Sequence, residues 1–235
     1  MLTALGWGAV AASSLVIGAV LGLIRKWPTG LVGGVLAFGA GALISSVAFE
    51  LAEEGLRASG PLWVAGGLAL GALAFFGANA AVDRIGGRSG GGAGGVPLAL
   101  GSLLDGIPEQ AVLGIGLAAG EGVSVALLVA IFISNLPEAI GSASDLRDGG
   151  RRPRAVLGLW CVVAAACALA SLGGYALASV AGTEVSGVID GFAAGALLVM
   201  LVDSMVPEAT EKAGNRAGLV TVIGFALAAG LSNLT

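Results

Sequence analysis

Two hexapeptides constrain this chain more than anything else in it: Asp105-Gly106-Ile107-Pro108-Glu109-Gln110 and Ser134-Asn135-Leu136-Pro137-Glu138-Ala139. Each lies in the middle of a long apolar segment, and each places a proline and a glutamate there. They begin 29 residues apart, which at about 20 residues per crossing is one span, a turn and half of the next span. A carboxylate at the centre of a bilayer costs at least about 2.5–3.5 kcal/mol on insertion scales. Two such acids, each beside a helix-interrupting proline at matching depth, predict a chain built to hold something charged inside a membrane.

The composition agrees with that environment. Apolar residues make up 57% and charged residues 11%, against roughly 45–50% and about 25% in soluble domains. Glycine accounts for 42 of 235 residues, a share that membrane helices tolerate because small residues let backbones pack closely. With a net charge of −4 and no basic stripe, nucleic acid is excluded as a partner. Cys161 and Cys167 lack metal-ligand spacing and read as packing residues, and there is no histidine. Residues 1–24 have no basic leading region. The pair Arg25-Lys26 follows the apolar run, so this segment reads as a first span ending in the cytoplasm and not as a cleavable signal.

Hydropathy predicts eight spans: Leu2–Ile24, Gly30–Leu51, Leu62–Val82, Pro97–Ala119, Val123–Ser144, Ala155–Val180, Val185–Val206 and Gly218–Leu234. Ten of the eleven basic residues fall in the odd-numbered loops, and only Arg57 falls in an even-numbered one. The positive-inside rule therefore puts the odd loops in the cytoplasm and both termini outside. The glycine-rich run 86–95 reads as a flexible linker. Phe38-Gly39-Ala40-Gly41 in span two is repeated as Phe192-Ala193-Ala194-Gly195 in span seven, and each is followed sixteen residues after its phenylalanine by an acid, Glu54 or Glu208. Spans two and seven are crossed in opposite directions, as are the two hexapeptide spans. The expected fold is thus an all-α, polytopic membrane bundle of eight transmembrane helices in a 3+2+3 inverted repeat, a layout that marks secondary transporters.

Within the hexapeptides, Asp105 and Glu109 are four residues apart, as are Ser134 and Glu138, so each pair shares a helical face. Pro108 and Pro137 free the carbonyls of Leu104 and Ile133. Asn135 adds an amide. No basic residue lies in spans four or five to neutralise Asp105, Glu109 and Glu138. That leaves protons or a metal cation, and oxygen-only ligands suit hard divalent ions, with zinc also accepting carboxylates. Glu50, near the outer end of span two, and Asp203, near the inner end of span seven, read as opposite mouths of an ion path. Glu53, Glu54 and Glu211 read as interfacial residues, Asn79 and Asp190 as structural ones, and Met200 and Met205 as packing.

The eight spans, the three-two-three repeat and the hexapeptides resemble the zinc–iron permease (ZIP) family of divalent-metal transporters over nearly the whole chain. That family carries His-Asn-x-Pro-Glu-Gly in span four and a related polar-polar-x-Pro-Glu or Pro-His run in span five, and these form its metal site. The resemblance implies that Asp105 stands for the first histidine, Gly106 for the asparagine, and that Glu109 keeps the glutamate. Ser134 and Asn135 take the polar places of span five, and Glu138 keeps the acid. Leu201-Val202-Asp203-Ser204-Met205-Val206-Pro207-Glu208 is also similar to the family pattern. The site histidines are replaced throughout, and span six lacks the acid that many members carry there. Exchanging an imidazole for Asp105 favours harder ions such as manganese, magnesium or ferrous iron relative to zinc.

The expected function is transport of a divalent cation (zinc, iron or manganese) across the cell membrane, with Asp105, Glu109, Ser134, Asn135 and Glu138 as the metal site. The resemblance implies movement toward the cytoplasm. No enzymatic activity, no resident cofactor and no nucleotide-binding loop is expected; the partners are the ion and the lipid bilayer, and a homodimer is compatible with the sequence. The alternative is a non-transporting relative that senses a metal or scaffolds a membrane partner. An intramembrane aspartyl protease using Asp105 and Asp203 is disfavoured, because the contexts Leu-Leu-Asp-Gly and Leu-Val-Asp-Ser lack the Tyr-Asp and Gly-x-Gly-Asp motifs.

Overall fold

Long apolar runs with few charges leave the backbone no partner but itself, and the chain accordingly folds into helices. The computed structural model describes residues 1–88, 96–120 and 122–232. Most of the linker expected at 86–95 lies outside them. Helix α1 is Leu2–Ile24. Helix α2 joins Thr29–Ser46, a π-helical segment Val47–Glu53 and Glu54–Ser59 without interruption. Then come α3 (Pro61–Arg88), α4 (Val96–Ala119), α5 (Val125–Asp148) and α6 (Pro153–Ser179). Helix α7 joins Thr183–Met200, a second π segment Leu201–Met205 and Val206–Ala213. A 3₁₀ turn, Gly214–Arg216, leads to α8, Ala217–Ser232. There is no strand among the described residues.

Six helical stretches are long and apolar enough to cross a membrane: Leu2–Ile24, Thr29–Ser59, Pro61–Val82, Val125–Asp148, Pro153–Ser179 and Thr183–Ser232. The last is 50 residues long, far beyond the ~20 that one crossing needs. It bends at Gly214, whose φ of 63° is a left-handed conformation that closes α7 and that side chains resist. Helix α4 matches the others in length, but Asp105, Glu109 and Gln110 interrupt its apolar character. Large apolar side chains face outward, including Leu70 and Leu73 on α3, Val162 and Leu169 on α6, and Leu219 and Val222 on α8. That surface suits hydrocarbon as solvent and describes a membrane-embedded helical protein.

The first predicted span coincides with α1. Others run on past their predicted ends: α2 continues past Leu51 to Ser59, α3 past Val82, α5 past Ser144 to Asp148, and α7 past Val206 to Ala213. The expected breaks at the hexapeptides do not occur, since Pro108 and Pro137 both sit inside continuous helices. A proline removes one hydrogen bond, and the flanking turns of a packed membrane helix hold the axis together.

Glycine governs how the helices meet. A Cβ at Gly71 of α3 would lie 1.9 Å from the carbonyl oxygen of Phe192, and one at Gly195 of α7 would lie 2.1 Å from that of Leu68. The same arrangement recurs between α8 and α2: a Cβ at Gly224 would lie 2.1 Å from the carbonyl oxygen of Phe38, and one at Gly41 would lie 1.8 Å from that of Thr221. Leu68 and Gly71 are spaced as Thr221 and Gly224 are, so the repeated Phe-x-Ala-Gly motifs dock their partner helices in one register. Such close approach is how membrane helices gain packing energy where burial from lipid adds little. The second π segment begins 154 residues after the first, the same offset that separates Phe38 from Phe192. A second core joins α1, α5 and α6 around the fully buried Trp160, with Leu15, Ala139 and Ala143. Arg147 of α5 caps the carboxyl end of α1, its Nη1 donating to the carbonyl of Gly22 at 2.9 Å.

Candidate carboxylate site

Glu109 is the most enclosed acid of the helix pair α4–α5, only 2% exposed. Its two oxygens are held separately by two consecutive residues of α5. The Ser134 hydroxyl lies 3.1 Å from Oε1, and the Asn135 amide donates to Oε2 at 2.9 Å. Both partners are themselves buried. Ser134 reaches this position because α2 presents no side chain there: a Cβ at Gly39 would sit 2.9 Å from the Ser134 Cα. The repeated Phe38-Gly39-Ala40-Gly41 motif therefore packs one face of the site as well as the α2–α8 contact.

Asp105, one turn earlier on α4, accepts a hydrogen bond from the Ser204 hydroxyl of α7 at 2.8 Å. Ser204 belongs to the π segment Leu201–Met205. A π turn inserts an extra residue and re-aims the side chains that follow. Here it turns Ser204 inward and leaves its neighbour Asp203 on the exposed side of α7. The Ser102 hydroxyl of α4 stands next to Glu138 of α5. The charges of Asp105 and Glu138 both act on Glu109, and Glu138 also lies in the fields of Asp105, Glu208 and Lys212. The carboxylates thus form a track between α4, α5 and α7: Glu109, Glu138 and Asp105, then Glu208, which forms a 2.5 Å ion pair with Lys212.

Asp105 and Glu109 are occupied by hydroxyl or amide donors in this conformation, and no group of three or more Cys, Asp or Glu side chains is gathered closely enough to hold a metal among the described residues. Four of the expected ligands (Asp105, Glu109, Ser134 and Asn135) are engaged in direct hydrogen bonds, and Glu138 stands beside them. At Gly106, the place where the resemblance puts an asparagine, a Cβ would stand 2.7 Å from the Cys167 sulfur, so a side chain there requires Cys167 to shift. Cys167 is a buried free thiol and fills that space; Cys161 is free and exposed.

No family model matches the sequence, and no curated protein matches it. The reading of the site therefore rests on its own geometry.

On the side of the bundle away from Lys212, a cavity of ≈ 530 Å³ opens between α2, α4, α5 and α7. Glu50, Glu54 and Asp190 all line it. Glu50 accepts hydrogen bonds from Ser124 at 3.0 Å and Ser46 at 3.4 Å. Asp190, expected to be structural, shares this wall with its carboxylate beside Gly55, at 3.6 Å from where a Cβ would stand. Ser102 and Ser204 were not signalled by the sequence, and Lys212 reads there only as a basic loop residue. The one available cue was the repeat, which carries Glu50 onto Ser204 at the offset of 154 residues.

Proposed function

We propose that the protein transports divalent cations through the carboxylate track, in the manner of the zinc–iron permeases that its hexapeptides resemble. The observation that carries this is the grouping of Asp105, Glu109 and Glu138 within one another's fields, surrounded by neutral oxygen donors from Ser102, Ser134, Asn135 and Ser204. Three neighbouring acids in an apolar bundle repel one another, so the arrangement is stabilised by a cation that supplies the missing positive charge. Oxygen donors of this kind favour manganese, ferrous iron or magnesium, with zinc also accommodated. The serine hydroxyls and the Asn135 amide yield the acids to the ion as it arrives.

The bundle is read as eight crossings in a three-two-three inverted repeat. The equal registers of Gly71 on Phe192 and Gly224 on Phe38 support that symmetry, as do the π segments at matching places. The basic residues of the odd loops favour the Arg151-Arg152 side as cytoplasmic; on this reading the protein lies in the cell membrane with the Glu50 cavity facing outward. Ions would enter by that cavity and leave past Glu208, with one group of helices moving against the other.

Reconstituted vesicles loaded with a divalent-ion indicator test this: the wild type takes up manganese, iron or zinc, and Glu109→Gln and Glu138→Gln each abolish or strongly reduce uptake. Because Asp105 and Glu109 are hydrogen-bonded and no ligand trio is gathered among the described residues, a metal-sensing or scaffolding role is the second reading. Ion binding without flux of any divalent ion, in a folded protein, would favour it.

A further inference from the structure

The two halves of the track end differently, although the repeat makes them equivalent. The offset of 154 residues carries Glu54 onto Glu208 and Ala58 onto Lys212, and the hexapeptide offset of 29 carries Val112 onto Gly141. On the outer side, Glu54, Ala58 and Val112 line the open cavity. On the inner side the same places hold a carboxylate, a lysine and a glycine. The lysine fills what its counterpart leaves open. Its Nζ pairs with Glu208 at 2.5 Å and lies 3.2 Å from where a Cβ of Gly141 would stand. Its own Cβ packs 2.5 Å from the Cβ position of Gly33 on α2. The Lys212 side chain therefore spans α7, α2 and α5 at the inner end of the track. There its charge acts on Glu138, while that of Glu208 acts on Asp105.

The ordinary reading of a lysine four residues after a glutamate is a surface ion pair of little consequence. Arg57–Glu53 is such a pair, with the arginine side chain 78% exposed, whereas Lys212 is 23% exposed and wedged between three helices. We propose that Lys212 is a tethered cation that latches the inner end of the carboxylate track shut and must leave Glu208 before a divalent ion can pass. The inference rests on the transport reading for its purpose. A cation arriving at Asp105 and Glu138 repels the ammonium, whose charge already acts on Glu138, and draws on the field of Glu208, so ion entry from the outer cavity and release of the inner latch are coupled. Gly141 matters because the absence of a side chain there lets the ammonium lie close across α5.

Thiol accessibility tests the latch without requiring flux. In a Cys161→Ser, Cys167→Ser background, a reporter is placed at Ser142→Cys, beside Gly141 and one turn past Glu138. Its labelling by a membrane-impermeant maleimide is timed from the face that bears Arg151 and Arg152. Lys212→Ala raises the rate on the order of tenfold or more, because a charge-assisted contact holds the latch; Lys212→Arg keeps it slow. Lys212→Gln, close in length but uncharged, also labels fast and serves if the alanine variant does not fold. Equal rates for parent, Lys212→Ala and Lys212→Gln overturn the latch, as does Lys212→Arg labelling as fast as alanine. A latch that behaves as stated in a protein that carries no ion would refute the transport reading alone, and active uptake with unchanged labelling would refute the latch alone.

Discussion

Adding one methyl group at Gly71 or Gly224 tests whether the two helix pairs are equivalent. At Gly71 the new carbon would stand 1.9 Å from the Phe192 carbonyl oxygen, and at Gly224 it would stand 2.1 Å from that of Phe38. Ordinary contact begins near 3.4 Å, so the helices must part by 1.5 Å at the first site and 1.3 Å at the second. The obstacle is backbone in both cases and cannot rotate away. Overpacking of this kind costs about 1–3 kcal/mol. It is opposed by the gain of replacing glycine with alanine inside a helix, about 0.8–1.0 kcal/mol. Gly66→Ala and Gly77→Ala isolate that gain, since nothing lies within 4 Å of either new carbon. Unfolding of the four variants in mixed micelles by a graded denaturing detergent gives the comparison. Gly71→Ala and Gly224→Ala lose similar stability, and Gly66→Ala and Gly77→Ala are neutral or slightly more stable. If all four behave alike, the close helix contacts do not exist as described. If only one of the first two is destabilised, the equivalence of the halves fails.

Three further outcomes concern the site. Asp105→His places an imidazole where the chain has a carboxylate, and in a competition uptake assay it shifts preference toward zinc over manganese; unchanged selectivity would remove Asp105 from direct contact with the ion. Asn135→Ala deletes the 2.9 Å bond to Glu109 and leaves a buried carboxylate oxygen without that donor, a loss of about 1–3 kcal/mol in thermal or detergent unfolding, whereas Asn135→Asp weakens stability through charge repulsion. Glu50→Gln, in the outer cavity, raises the ion concentration needed for half-maximal uptake while leaving the maximal rate nearly intact; the reverse pattern would place Glu50 at the track itself.

The coarse fold and part of the site could be read from residues alone, for reasons that differ. Span α1 was legible to its ends because Arg25 and Lys26 close an uninterrupted apolar run. Glu109, Ser134 and Asn135 were legible as a group because charge and proline in an apolar segment are rare enough to signal a site wherever they fall. The continuations of α2 and α7 were hidden: hydropathy drops at Glu53 and Glu208, but the helices run on, because backbone hydrogen bonding does not follow hydropathy. The π segments leave no mark in composition, since an extra residue per turn is selected by the fit against neighbouring helices. Without them, Asp203 rather than Ser204 would be expected to face the track. Pro108 and Pro137 misled in the other direction, because surrounding helices keep the axis intact. Serines 102 and 204 look like any small residue in a membrane helix until the acids opposite them are seen. Lys212 was legible as a basic loop residue but not as a side chain lying against Gly141.

The central claim is that the acids between α4 and α5 bind a divalent cation. Equilibrium manganese binding to the purified protein, followed by the paramagnetic resonance signal of the free ion, tests it most directly. The account predicts saturable binding to the wild type that is lost in the Glu109→Gln, Glu138→Gln double variant while its helical content and elution profile remain unchanged. Undiminished manganese binding by that folded double variant would contradict it.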